Sequence, residues 1–161
     1  MVRHTFFKWI GGKEWLWKLI KPHLISDDHE IYIEPFLGGG AIAIHLLKWC
    51  RKHNVHKKFI LSDTNPGLIN AYIQIRDNFD NLTTYLNELD SMESTKSLYY
   101  ERRKEYNLKS KDSIESAGLF IWLLANGLTY CTHYRASRFV WGSKTNRLRR
   151  FLICVCTFSV Q

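Results

Sequence analysis

Between Glu14 and Leu24 tryptophan and leucine recur at helical spacing, Glu30 to Glu34 reads as a short strand, and Ala41 to His53 places Ile42, Leu46 and Trp49 on one helix face. Lys58 to Asp63 is a second strand. Asn65-Pro66 opens another helix, with asparagine as cap and proline in the first turn, running to about Asn78. This β-α-β-α order predicts an α/β fold with parallel strands. From Asp80 onward the pattern is helical only: Asn81 to Leu89, Lys96 to Asn107, and Ile114 to Asn126, the last with Asp112 and Glu115 spaced as a capping box. Beyond Gly127 the periodicity fades into a polar, basic and aromatic stretch suited to a recognition loop. The chain closes on an uncharged, β-prone run, Phe151 to Cys156, which reads as out-of-frame translation or as an adventitious terminus.

Composition narrows this picture. The 161 residues suffice for one domain with a core, and no stretch is apolar enough to span a bilayer. The N-terminus is too charged and aromatic for a secretory signal, so a cytoplasmic location is expected. Cys50, Cys131, Cys154 and Cys156 lack framework spacing and clustered histidines, so reduced thiols are expected, with neither disulfides nor a bound metal. The net charge of +8 is uneven: residues 116–161 carry six basic side chains and no carboxylate. Arg135, Arg138, Lys144, Arg147, Arg149 and Arg150 are interleaved there with Tyr130, Tyr134, Phe139 and Trp141. That mixture suits phosphate contacts and base stacking, although a basic run also serves as plain solvated surface.

Chemistry concentrates at the first strand end. Glu34-Pro35-Phe36-Leu37-Gly38-Gly39-Gly40 joins a strand to a helix, and its glycines let the backbone turn sharply and approach a ligand at a helix N-terminus. Asp63 ends the second strand, 23 residues after Gly40, near the spacing at which an acid accepts hydrogen bonds from ribose hydroxyls. Its alternative is a helix cap, because Ser62-Asp63-Thr64-Asn65 precedes a helix. Upstream, Phe7-Lys8-Trp9-Ile10-Gly11-Gly12-Lys13 lacks the spacer and hydroxyl of a phosphate loop. It is either a surface turn or a place where Lys13 pairs with a carboxylate.

Taken together these segments resemble a known family. Lys8-Trp9-x-Gly11-Gly12-Lys13, Glu34-Pro35-Phe36-x-Gly38-Gly39-Gly40-Ala41 and Leu61-Ser62-Asp63-x-Asn65-x-x-Leu68-Ile69 are similar, in order and spacing, to the Dam-type adenine-specific DNA methyltransferases. Tyr99-Tyr100, Arg102/Arg103 and Tyr106-Asn107, then Ala117 to Leu123 and Asn126-Gly127-Leu128, extend the likeness from about residue 5 to 146. The resemblance implies the N-terminal part of a Rossmann-like S-adenosylmethionine-dependent methyltransferase sheet over 1–79. The start of a helical target-recognition domain would follow over 80–150, with an atypical tail at 151–161. It implies S-adenosylmethionine as methyl donor, with Trp9, Gly11, Gly12 and Lys13 along its methionine end. Glu34, Pro35, Phe36, Gly38 and Gly40 would lie beneath it and Asp63 at its ribose. Double-stranded DNA would face Asn126, Arg135, Arg138, Lys144 and Arg147.

One motif of the family is missing. Activating the exocyclic amine of a flipped adenine falls to Asp-Pro-Pro-Tyr in such enzymes, whereas this sequence has only Pro22, Pro35 and Pro66, none adjacent. No catalytic residue is therefore assigned. The implied protein is a truncated adenine-specific methyltransferase whose amine-activating half is lost or supplied by a complementing chain. The alternative is a noncatalytic DNA-binding or regulatory remnant, and a nucleotide-binding oxidoreductase is disfavoured by Glu34-Pro35. A sheet with two strands and one open edge is expected to be marginally stable. Thermal unfolding should give a low midpoint that S-adenosylmethionine raises; a cooperative, high-melting monomer would contradict it.

Overall fold

The computed structural model describes residues 7, 9, 12–26, 29–92, 95–132 and 156–160. After a single 3-10 turn, Glu14–Leu16, come α1 (Trp17–Leu24), β1 (Ile31–Glu34), α2 (Ala41–His53), β2 (Lys58–Asp63) and α3 (Pro66–Asp77). Then follow α4 (Phe79–Asp90), α5 (Lys96–Leu108), α6 (Ile114–Thr132) and β3 (Cys156–Val160). The result is a mixed α/β structure of two compact units, residues 1–64 with 150–161, and residues 65–149. The division falls between Thr64 and Asn65, so α3, grouped with the strands by the β-α-β-α order, packs among the helices.

In the first unit β1 and β2 are parallel, with Ile31 opposite Lys58 and Glu34 opposite Leu61, and α2 makes the crossover. Both limits of α2 fall where the sequence predicts, because the backbone turns left-handed at each end, at Gly40 (φ 67°) and Asn54 (φ 54°). Arg51, Lys52 and His53 occupy its last turn, the end where the helix dipole favours cations. Ile42, Leu46 and Leu47 are buried, as are Phe59 and Leu61 of β2. Trp49, expected on the buried face, is half-buried and stacks on His53 at 4.7 Å. Lys57 is a buried cation that the sequence did not flag. Its ammonium donates to the Ser26 carbonyl at 2.8 Å and to that of His29, which ties the α1–β1 connection to the start of β2.

The sheet has one strand more than the two that the sequence predicts: β3 pairs in parallel with β2, Phe59 opposite Cys156 through Asp63 opposite Val160, in the order β1-β2-β3, while residues 151–155 of the β-prone run lie outside the described residues. An unpaired strand edge presents a full row of N–H and C=O groups, and an uncharged segment such as Cys156-Thr157-Phe158-Ser159-Val160 can satisfy them. The outer edges of the sheet among the described residues are then those of β1 and β3. Among the described residues, Ile31 and Ile33 are 52% and 61% exposed on the strand face opposite Tyr32 and Glu34.

The helical unit is organised by α6, which packs against α3, α4 and α5. Leu119, Ile121 and Trp122 of α6 are buried, as are Leu68, Tyr72 and Ile75 of α3 and Leu82 and Leu86 of α4. Asn65 caps α3 as the sequence predicts, accepting from Leu68 N–H at 3.0 Å. The cap of α6 is one residue later than predicted: Ser113 Oγ accepts from Ser116 N–H at 3.1 Å. Asp112 instead offers its carbonyl to Gln74, within a polar ladder along α3. Asn70 donates to Ser113 O at 2.8 Å, Gln74 to Asn70 Oδ1 and Asp112 O, and Asn78 to Gln74 Oε1. The helix also runs past its predicted end at Asn126. Gly127 lies inside it, where a Cβ would come within 3.1 Å of the Tyr99 hydroxyl, so this glycine serves close helix packing.

Gly118 is the tighter case, since a Cβ there would lie 2.4 Å from Cδ1 and 2.8 Å from Cε1 of Tyr85. Gly118→Ala should destabilise the chain by up to about 2 kcal/mol, overpacking costing roughly 1–3 and helix propensity returning about 1. Urea unfolding of the two proteins checks this, and an equal or raised midpoint would refute the steric account.

Candidate functional site

The end of β1, the glycine turn and the first turn of α2 form one hydrogen-bonded body. Gly38 (φ 50°) and Gly40 (φ 67°) adopt left-handed backbone that side chains rarely tolerate. Leu37, buried between them and the strand, donates its N–H to Ser62 O at 2.9 Å, and Gly40 N–H returns to Leu37 O at 2.9 Å. Asp63 reaches across from the end of β2, its Oδ2 accepting Gly38 N–H at 2.8 Å. The alternative role for Asp63 as helix cap falls away, because Asn65 caps α3. One carboxylate oxygen thus anchors the turn, which sequence spacing alone did not reveal.

Glu34 meets the same turn from the β1 side. Gly40 sits at the N-cap of α2 and has no side chain with which to cap it, and Glu34 Oε2 substitutes by accepting Ala43 N–H at 3.2 Å. The same oxygen accepts the Tyr32 hydroxyl at 2.9 Å. Burial pushes the Glu34 carboxyl up to about 7, against the opposing pull of the Tyr32 bond, the Ala43 N–H and the nearby Lys13 charge. Burial, and then the Glu34 charge, raise the Tyr32 phenol as well. Tyr32 was not singled out from the sequence, although the two-residue period of a strand places it on the face of Glu34.

The N-terminal segment contributes two of its expected residues. Trp9 is half-buried, and its indole lies against Gly38, where an added Cβ would be 3.0 Å from Cδ1 and 3.3 Å from Nε1. Lys13 is exposed and acts on Glu34 through its charge. At Gly12 a Cβ would make only an ordinary 3.8 Å contact with the Trp9 carbonyl, so nothing there demands glycine. Pro35 and Phe36 are exposed, Phe36 to 70%. Gly11, Arg135, Arg138, Lys144 and Arg147 lie outside the described residues. Asn126, on α6 in the other unit, is half-buried and donates to the carbonyl of Trp122 in its own helix at 2.9 Å. Among the described residues there is no cluster of three or more metal-ligating side chains, and no helix is long and apolar enough to cross a membrane.

The site therefore presents two carboxylates from adjacent parallel strands, left-handed glycines, an indole packed against Gly38 and a cation. Known proteins carry similar sequences. The family model described as D12 class N6 adenine-specific DNA methyltransferase matches residues 9–151, a span that ends before β3. The Type II methyltransferase M.MjaIII of Methanocaldococcus jannaschii is 32% identical over 143 residues, covering 83% of this chain and 48% of that protein. The DNA adenine methylase of Escherichia coli K12 is 32% identical over 131 residues, covering 81% and 43%. The Type II methyltransferase M1.LlaDCHI of Lactococcus lactis is 30% identical over 129 residues, covering 76% and 42%. The chain spans slightly less than half the length of these curated relatives.

The raised Glu34 carboxyl makes stability depend on pH. Between its ordinary value of 4.5 and about 7, the native chain keeps a proton that the unfolded chain has released. This stabilisation is present in full below 4.5 and is lost as pH rises through about 7. Glu34→Gln cannot ionise, so from pH 5 to 8 it should gain on the wild type by on the order of 2–3 kcal/mol. Urea unfolding across that range tests the sign; a constant difference would mean that Glu34 is not held protonated.

Proposed function

The chain belongs to the D12 class of N6 adenine-specific DNA methyltransferases, and on that premise we propose that it binds S-adenosylmethionine for methyl transfer to the exocyclic amine of adenine in double-stranded DNA. The observation that carries this reading is the convergence of Glu34 and Asp63 on one glycine turn. When bound, S-adenosylmethionine supplies an electrophilic methyl group on a sulfonium cation. The residues present suit that ligand: carboxylates favour its positive charge, and the Trp9 indole lies against the left-handed turn at Gly38.

In this reading 1–79 is the cofactor half of a Rossmann-like methyltransferase domain and 80–150 the beginning of target recognition. Trp9, Gly11, Gly12 and Lys13 receive the methionine end. Glu34, Pro35, Phe36, Gly38 and Gly40 form the floor, and Asp63 holds the ribose hydroxyls. Asn126, Arg135, Arg138, Lys144 and Arg147 meet DNA, the arginines and lysine through phosphates. Methyl transfer also needs groups that accept from the adenine amine, and the Asp-Pro-Pro-Tyr that does so in the family is absent from this sequence. In this reading those groups are either missing or supplied by a complementing chain. The free edge of β1 and the bare Ile31 and Ile33 suit a segment that adds a strand and covers that face, as parallel sheets require.

Asp63→Asn separates anchoring from binding, because its amide oxygen can still accept from Gly38 while the charge offered to the ribose is gone. Titration calorimetry should show S-adenosylmethionine affinity falling roughly tenfold or more, with little change in melting temperature. Unchanged affinity would remove Asp63 from the site, and no binding by the wild type would overturn the cofactor assignment.

A further inference from the structure

We propose that Tyr32 is a positioning residue of the cofactor turn: its hydroxyl, donated to the one Glu34 oxygen that also caps α2, holds that carboxylate in the ionised capping arrangement that a cationic methyl donor requires. This rests on the reading of the turn as an S-adenosylmethionine site. Tyr32 and Glu34 are two residues apart on β1 and share the face toward α2. The Tyr32 ring is fixed by Phe59, its register partner on β2, with centroids 5.3 Å apart and planes tilted by 60°, and Phe59 is itself fully buried. A rigid ring places the hydroxyl, and the hydroxyl places the carboxylate. Two donors then meet at Glu34 Oε2, Tyr32 at 2.9 Å and Ala43 N–H at 3.2 Å.

Among the described residues, few charged groups surround Glu34. Lys13 acts on it from the segment before the 3-10 turn, and Tyr32 is the titratable neighbour on its own strand. On α2, His45 stacks with Trp17 and lies 3.8 Å from Glu14, while on β2 Asp63 engages Gly38. Of the groups that favour the carboxylate over the acid, the Tyr32 bond has the largest effect, ahead of Ala43 N–H and Lys13. Phenylalanine at position 32 keeps the ring and removes only this bond. The proton on Glu34 then leaves less readily, and a ligand whose positive charge favours the carboxylate must displace it at higher pH.

The test is S-adenosylmethionine affinity of wild type and Tyr32→Phe from pH 6 to 8.5, read as the ratio between the two so that titration of the ligand cancels. Loss of one charge-assisted bond should move the Glu34 midpoint up by about one unit, which lowers affinity about fivefold at pH 7 and less than twofold at pH 8.5. In a Glu34→Gln background the same substitution should give a ratio that does not vary with pH. A pH-independent loss in the wild-type background, or no loss, overturns the proposal. The carboxyl-carbon NMR titration of Glu34 in the ligand-free chain tests Tyr32 separately. A midpoint unmoved by Tyr32→Phe refutes the positioning role, whereas a shifted midpoint without S-adenosylmethionine binding at any pH sinks the cofactor reading alone.

Discussion

The first turn of α2 must find its hydrogen-bond acceptors outside the helix, and the strand–helix unit is arranged around that need. A glycine at the N-cap permits the left-handed turn but offers no side-chain oxygen, so the orphan N–H of Ala43 turns to Glu34 on the preceding strand. Leu37 and Gly38, one step earlier, turn to Ser62 and Asp63 on the next strand. Backbone donors that elsewhere face water are thus divided between two strand ends. The parallel pairing of β1 and β2 brings those ends to one place, and the buried side chains of α2 hold the helix against them. Burial is also what makes Glu34 costly to ionise, so capping and proton affinity are two aspects of a single arrangement.

The helical unit meets the same requirement with neutral groups. The loop before α6 would carry unsatisfied carbonyls toward α3, and the ladder of Asn70, Gln74 and Asn78 receives them at the i, i+4 spacing of one helix face. Amides serve where no charge change is wanted. Asn70 and Gln74 are buried, yet each donates and accepts within the ladder, so neither adds an uncompensated polar group to a core built on Trp122, Leu119 and Tyr72.

Local chemistry was legible where a residue announces its own backbone geometry. The limits of α2 and β2, the asparagine cap and first-turn proline of α3, and the glycine turn follow from residues whose conformational preferences are strong. Features that depend on a distant partner were not. Gly127 looks like a stop and acts as a packing notch, because the chain cannot announce that Tyr99 will lie beside it. The cap of α6 is Ser113 and not Asp112, whose carboxylate accepts from Ser110 while its carbonyl accepts from Gln74, 38 residues away in sequence. The partner of β2 comes from a tail with no motif of its own, and Lys57 is buried because irregular backbone at Ser26 and His29 solvates its ammonium. The family motifs were read correctly for the same reason as the turns: they are short, contiguous and rich in glycine and acid.

The bare face of β1 sets the fate of the polypeptide as well as its pairing. Ile31, Ile33 and Phe36 are exposed beside a strand edge whose amides on that side are unpaired among the described residues. Chaperones and proteases recognise apolar surface of this kind, and identical edges also join one another into aggregates. Covering that face removes the edge through which copies would join and the apolar surface by which a bare strand is recognised.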